Sequence, residues 1–207
     1  MISALILAAT IAQPELPNVL LIGDSISQGY TPYVVSELKG KANVSRIKGN
    51  GRNTGIALEK IDEWLGDTDW AVIHFNWGLH DLCYRHPEAK VYGNRDKVRG
   101  EITHTPEVYG ANLEALVVRL KETGAKLVWA TTTPVPPGEA GRYVEDAVRY
   151  NHVAAGVMKK HSVPTNDLHK AVLPRFAEFA TKPGDVHLTK EGYEFLGGLV
   201  VEAISRE

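Results

Sequence analysis

Apolar residues fall along this chain in two alternating rhythms. Short continuous apolar runs recur at residues 19–22, 44–47, 70–75, 126–131 and, more weakly, 163–167. Runs this short, bounded by polar and turn-forming residues, read as buried strands. Between them apolar residues return at helical spacing: Ile56, Leu58, Ile61 and Leu65; then Leu113, Leu116, Val117 and Leu120; then Val144, Ala147, Val148 and Val153. Strand followed by helix, repeated about five times, predicts an α/β fold in which a parallel sheet is covered by helices on both faces. A last helix is predicted after Thr189, which can cap it, with Glu191 in its first turn and Tyr193, Leu196, Leu199 and Val200 on its apolar face. Residues 82–105 break the rhythm. They follow the third strand and carry Tyr84, Arg85, His86, Tyr92, Arg95, Lys97 and Arg99, and an irregular stretch of this length at a sheet edge usually covers a site.

Composition narrows the picture. A chain of 207 residues, 43% hydrophobic, needs only one domain to bury a sizeable core, and residues 14–207 are taken as that domain. Residues 1–13 hold an apolar run ending in small residues. The run is too short to span a bilayer and reads as a short signal peptide, hence a secreted or periplasmic protein, or as an apolar arm on a cytoplasmic one. The formal charge is −2, from 23 basic and 25 acidic residues. Neither a basic stripe for nucleic acid nor a polybasic membrane patch stands out, so a small, roughly neutral substrate is the easier expectation. Cys83 is the sole cysteine, which excludes a disulfide framework or a cysteine-based zinc site within one chain. His86, His104, His152, His161 and His169 are scattered without ligand spacing, and no metal site is expected.

The chemistry collects at strand ends. Gly23-Asp24-Ser25 follows the first strand directly and precedes a helical segment, placing a hydroxyl where open α/β sheets carry their chemistry. Ser25 is thus a candidate nucleophile, with Asp24 anchoring the turn. A serine nucleophile needs a base and an acid to orient it. His187, just before the last helix, and Asp185, two residues earlier, supply both in one polar loop. Two further loops converge on Ser25. The second strand is followed by Gly49 to Thr54, where glycine lets backbone approach a ligand, and the third by Asn76 to Asp81. Arg52, Asn53, Asn76 and Trp77 are candidate substrate contacts from these loops.

Taken in order, Gly23-Asp24-Ser25, Gly51, Gly78-Leu79-His80-Asp81 and His187 resemble the four blocks of SGNH/GDSL-type esterases. The resemblance covers most of the chain. It implies a flavodoxin-like three-layer α/β/α sandwich with about five parallel strands, ester or thioester hydrolysis through a seryl ester, and no metal or organic cofactor. It also implies that the Ser25 and Gly51 N–H groups and the third-block side chain donate to the oxyanion.

Two departures stand out. The family's third block carries asparagine where this chain has His80, and its acid lies three residues before the histidine, where this chain has Gly184. A neutral imidazole still offers one N–H donor, and a two-residue offset in extended chain keeps Asp185 and His187 on one face. Either Asp185 or a backbone carbonyl orients His187. The expected substrate is a carbohydrate O-acetyl ester or another short-chain ester, since no long apolar lid is visible, and the Tyr- and Arg-rich stretch at 82–105 suits a sugar or an anionic polysaccharide. The alternatives are a thioesterase or lysophospholipase, and a carbohydrate-binding pseudoenzyme.

Overall fold

In the computed structural model, residues 15–206 are described; the predicted signal segment or arm at 1–13 lies outside them. The chain runs β1 (Asn18–Ile22), α1 (Ser25–Glu37), β2 (Asn43–Arg46), α2 (Thr54–Leu65) and β3 (Val72–Phe75). It then forms β4 (Tyr84–Arg85), β5 (Glu101–Ile102), α3 (Pro106–Lys121), β6 (Lys126–Ala130), α4 (Asp146–His161) and β7 (Thr165–Asn166), and closes with α5 (Leu168–Val172), α6 (Phe176–Phe179) and α7 (Lys190–Ser205). All five predicted strands lie in one parallel sheet of order β2-β1-β3-β6-β7. The chain steps outward from β1 to β2, then returns past β1 to β3 and continues the other way. Because crossovers of this kind are right-handed, the reversal sends successive helices to opposite faces. Accordingly α1 packs on α7, while α2 packs on α3 and α3 on α4. The C-terminal ends of β1 and β3 flank the point of reversal, where open sheets leave a crevice for ligands.

Burial follows from these positions. In β1 every residue after Asn18 is buried, as expected of a parallel strand covered on both faces, whereas edge strand β2 alternates between exposed and half-buried. The α3 face of Leu113, Leu116, Val117 and Leu120 is buried as predicted. The face predicted for α4 is out of phase: Val144 precedes the helix and Val148 is exposed, while Ala147, Tyr150, Ala154 and Met158 are buried. Tyr150 sets that phase. Its ring packs on Tyr109 with centroids 5.1 Å apart, and its hydroxyl donates to the His104 carbonyl, so the amphipathic ring outweighs two valines. In α2, likewise, Leu58 is exposed and Ala57 buried.

Residues 82–105 contain the short antiparallel ribbon β4–β5. Backbone bonds from Tyr84 N–H to the Gly141 carbonyl (2.7 Å) and from Lys97 N–H to the Ala140 carbonyl (2.9 Å) tie this stretch to the loop after β6. It forms a wall beside the C-terminal edge of the sheet. No helix among the described residues is long and apolar enough to cross a membrane.

Candidate active site

Asp24 ends β1's loop by capping α1: its Oδ1 accepts the Ile26 N–H at 2.9 Å, satisfying a donor that the first helical turn would leave orphaned. Ser25 is therefore the first residue of α1, with a backbone N–H that has no intrahelical acceptor. At the opposite end of the chain Thr189 caps α7, and the loop immediately before it carries Asp185 and His187. The Ser25 hydroxyl lies 2.9 Å from His187 Nε2, and His187 Nδ1 lies 2.7 Å from Asp185 Oδ1. That same Oδ1 also accepts the His187 backbone N–H at 3.1 Å. The two-residue offset thus reaches the imidazole by folding back on itself, and of the two ways to orient His187 the structure has the carboxylate. Burial opposes charge on Asp185, but the two bonds from His187 outweigh it and hold the carboxyl below its usual range.

The second-strand loop meets the nucleophile turn closely. A Cβ at Gly51 would sit 2.7 Å from the Gly23 carbonyl oxygen, so only glycine fits there. This closeness corrects one expectation. The Gly51 N–H donates to the Gly23 carbonyl at 2.9 Å and is already engaged, instead of being presented to an oxyanion. Arg46, which the sequence did not single out, staples the same two loops. Its guanidinium donates to the Gly23 carbonyl (2.9 Å), the Ser27 hydroxyl (3.1 Å) and the Gly49 carbonyl (2.7 Å).

The third-strand loop is held from beneath. Buried Asp81 accepts at Oδ1 from the Thr54 N–H (2.9 Å) and hydroxyl (2.6 Å), and His104 Nδ1 lies 2.8 Å away. This one oxygen joins the start of α2 to the loop after β3. Above it, Arg142 donates to the Leu79 carbonyl at 2.6 Å and pairs with Glu139, a fully buried carboxylate that also binds Arg95. His80 follows directly. Arg85 Nη2 lies 3.4 Å from His80 Nδ1, and a guanidinium can only donate. Nδ1 therefore accepts and the imidazole proton sits on Nε2. Burial, joined by the Arg142 and Arg85 charges, pushes the His80 pKa down against the pull of Asp24 and Asp81, so the ring is neutral at pH 7 with a single N–H donor.

Ser25 and His187 open into a cavity of about 580 Å³ that Arg52, Asn53 and His80 also line, together with Leu79, Arg85 and Val186. Asn53 is in addition the cap of α2. Asn76 and Trp77, expected as substrate contacts, are not on this cavity. Asn76 donates to the Ala130 carbonyl at 2.7 Å, joining β3's end to β6. Trp77 is fully buried against Phe75, and its carbonyl accepts from Tyr109 and Thr132. The chain continues inward past the end of β3, and only at Leu79 and His80 does it reach the cavity. Among the described residues no cluster of His, Cys, Asp and Glu is placed to hold a metal ion.

A strand-end serine bonded to a histidine–aspartate pair, on an open parallel sheet of this order, defines a serine hydrolase. Residues 21–195 match the model of the GDSL-like Lipase/Acylhydrolase family; the chain belongs to that family and hydrolyses ester bonds. Its fold is similar to the lipase/acylhydrolase from Enterococcus faecalis (TM-score 0.73, 22% identity, 90% of this chain and 94% of that one). It is also similar to the acetylxylan esterase Axe2 from Geobacillus stearothermophilus (TM-score 0.71, 17% identity, 92% and 95%), and to the acetyl xylan esterase AlAXEase (TM-score 0.69, 18% identity, 90% and 99%). No curated protein matches by sequence.

Proposed function

We propose that this chain is an O-acetyl esterase acting on carbohydrate or other short-chain esters, with Ser25 as nucleophile. The observation that carries the mechanism is the continuous hydrogen-bonded line from Ser25 Oγ through His187 to Asp185, 2.9 and 2.7 Å. Ser25 Oγ attacks the acyl carbonyl as His187 Nε2 takes its proton, and Asp185 stabilises the imidazolium that forms. The tetrahedral oxyanion accepts from the Ser25 N–H at the start of α1 and from His80 Nε2–H. His187 then protonates the departing alcohol, leaving a seryl ester that water, activated by the same imidazole, releases as the carboxylic acid.

Support for a short acyl group and a sugar alcohol comes from the hydrogen-bonding side chains of Asn50, Arg52, Asn53 and His80 on the cavity wall, where Leu79 and Val186 are the aliphatic side chains and Tyr92 the aromatic one. Further support comes from Axe2, solved as catalytic mutants at a serine, an aspartate and a histidine. The test is a panel of acetylated oligosaccharides, nitrophenyl esters from acetyl to palmitoyl, and acyl-CoA. Acetyl esters are expected to be turned over best and Ser25→Ala to lose about 10⁴-fold or more in kcat. Retention of activity in Ser25→Ala overturns the mechanism, and comparable rates on palmitoyl esters or acyl-CoA overturn the substrate class.

A further inference from the structure

Positive charge is concentrated at this site in a chain whose formal charge is −2. Arg52, Arg85, Arg95 and Arg142 line the catalytic cavity, and Asp24 is the one carboxylate on its wall. Glu139 lies buried behind, shared by Arg95 (2.6 Å) and Arg142 (2.9 Å). With Asp24, Glu139 and the Asp185 carboxylate behind His187 each offsetting one guanidinium, one positive charge stays uncompensated.

The four arginines are not equivalent. Arg85 and Arg142 hold the wall, the first through the Thr103 hydroxyl and the Gly93 carbonyl, the second through the Leu79 carbonyl. Arg52 has no hydrogen-bonded or ionic side-chain partner among the described residues, is exposed, and sits at φ 49°. That left-handed backbone costs a residue with a Cβ about 1–2 kcal/mol, and the fold makes no use of the long cationic side chain placed there. Arg95 has a second property: it also lines an adjoining open groove of about 610 Å³, which adds Glu88, Lys90, Asp96 and Arg99, with Arg99 matched by Asp96. At the rim of the catalytic cavity Tyr92 is 92% exposed, presenting an aromatic face to solvent.

We infer that the alcohol portion of the substrate is an anionic saccharide, a chain bearing carboxylate or sulfate groups. One anion is bound between Arg52 and Arg95 beside the ester, and the chain runs past Tyr92 into the groove that Arg95 shares. Guanidinium groups suit planar or tetrahedral oxyanions through paired N–H donors, and the unpartnered Arg52 is satisfied only when such a group arrives. The inference rests on the esterase reading for the position of the ester, and it favours the anionic saccharide that residues 82–105 suggested over the neutral substrate that overall charge suggested.

The test uses the full-length enzyme hydrolysing nitrophenyl acetate, with trigalacturonate, a sulfated galactan trisaccharide and neutral xylotriose as competitors. An anionic trisaccharide is expected to inhibit at least tenfold more strongly than xylotriose at low ionic strength. Added salt shrinks that preference. Arg52→Asn, which removes the charge and suits the left-handed backbone, shrinks it severalfold, whereas Arg52→Lys keeps part of it. Stronger inhibition by trigalacturonate identifies carboxylate as the anion, and stronger inhibition by the galactan identifies sulfate. Equal inhibition by all three, or a preference indifferent to salt and to Arg52→Asn, overturns the inference. If nitrophenyl acetate is not hydrolysed, the esterase reading fails by itself, and calorimetry of the same trisaccharides on Ser25→Ala still decides the anionic subsite.

Discussion

The two sides of the catalytic cavity are built on different principles. On one side, the groups of the proposed proton relay are set by local structure. Ser25 is fixed by the cap of α1, and Asp185 and His187 bond to each other across two residues just ahead of the cap of α7. On the other side, His80 is set by contacts distant in sequence. Its loop hangs from Arg142 through the Leu79 carbonyl, Arg142 depends on buried Glu139, and Glu139 also binds Arg95. Local caps place a side chain through one or two hydrogen bonds of modest strength, whereas the wall depends on a buried ionic cluster whose members fail together. The relay side is accordingly expected to be sensitive chemically and robust structurally, and the wall side to carry the larger structural cost.

Substitutions on each side sharpen that contrast. The largest effect is expected from Asp185→Asn, which leaves the loop able to close but favours the wrong imidazole tautomer. kcat should fall about 10⁴-fold with the melting temperature nearly unchanged. A large loss of stability there, measured by calorimetry, breaks the comparison. Glu139→Gln leaves Arg95 and Arg142 without their shared charge and is expected to cost about 3–5 kcal/mol by denaturant titration. A neutral outcome shows that the wall does not depend on that cluster. His80→Ala should lower kcat by about 10²–10³ with His80→Asn recovering much of it; equal activity of both variants with the unaltered enzyme removes His80 from the oxyanion site.

The sheet was legible because parallel strands buried on both faces leave continuous apolar runs, as at residues 19–22 and 70–75. Ser25, Asp185 and His187 were legible for a related reason, since each sits beside a helix start whose capping residue, Asp24 or Thr189, is visible in the sequence. What stayed hidden lacks any such local mark. Arg46 reaches Gly23 across the edge of the sheet, Asp81 joins Thr54 to His104, and Glu139 selects Arg95 from a stretch holding several arginines. Asn76 and Trp77 were misplaced because strand alternation alone does not say where beyond β3 the chain first turns outward. Gly51 was read as a close approach to a ligand, whereas the backbone it approaches is Gly23, whose carbonyl takes its N–H.

The single Asp185 oxygen that takes both N–H groups of His187 has a consequence for how the enzyme tolerates motion. An acid and a base carried on separate loops drift apart whenever either loop breathes, so catalytic competence is continuously eroded by thermal fluctuation. Here the pair travels as one unit. Movement of the segment ahead of α7 changes its distance to Ser25 but leaves imidazole and carboxylate in register, so the approach to the hydroxyl is what such movement alters.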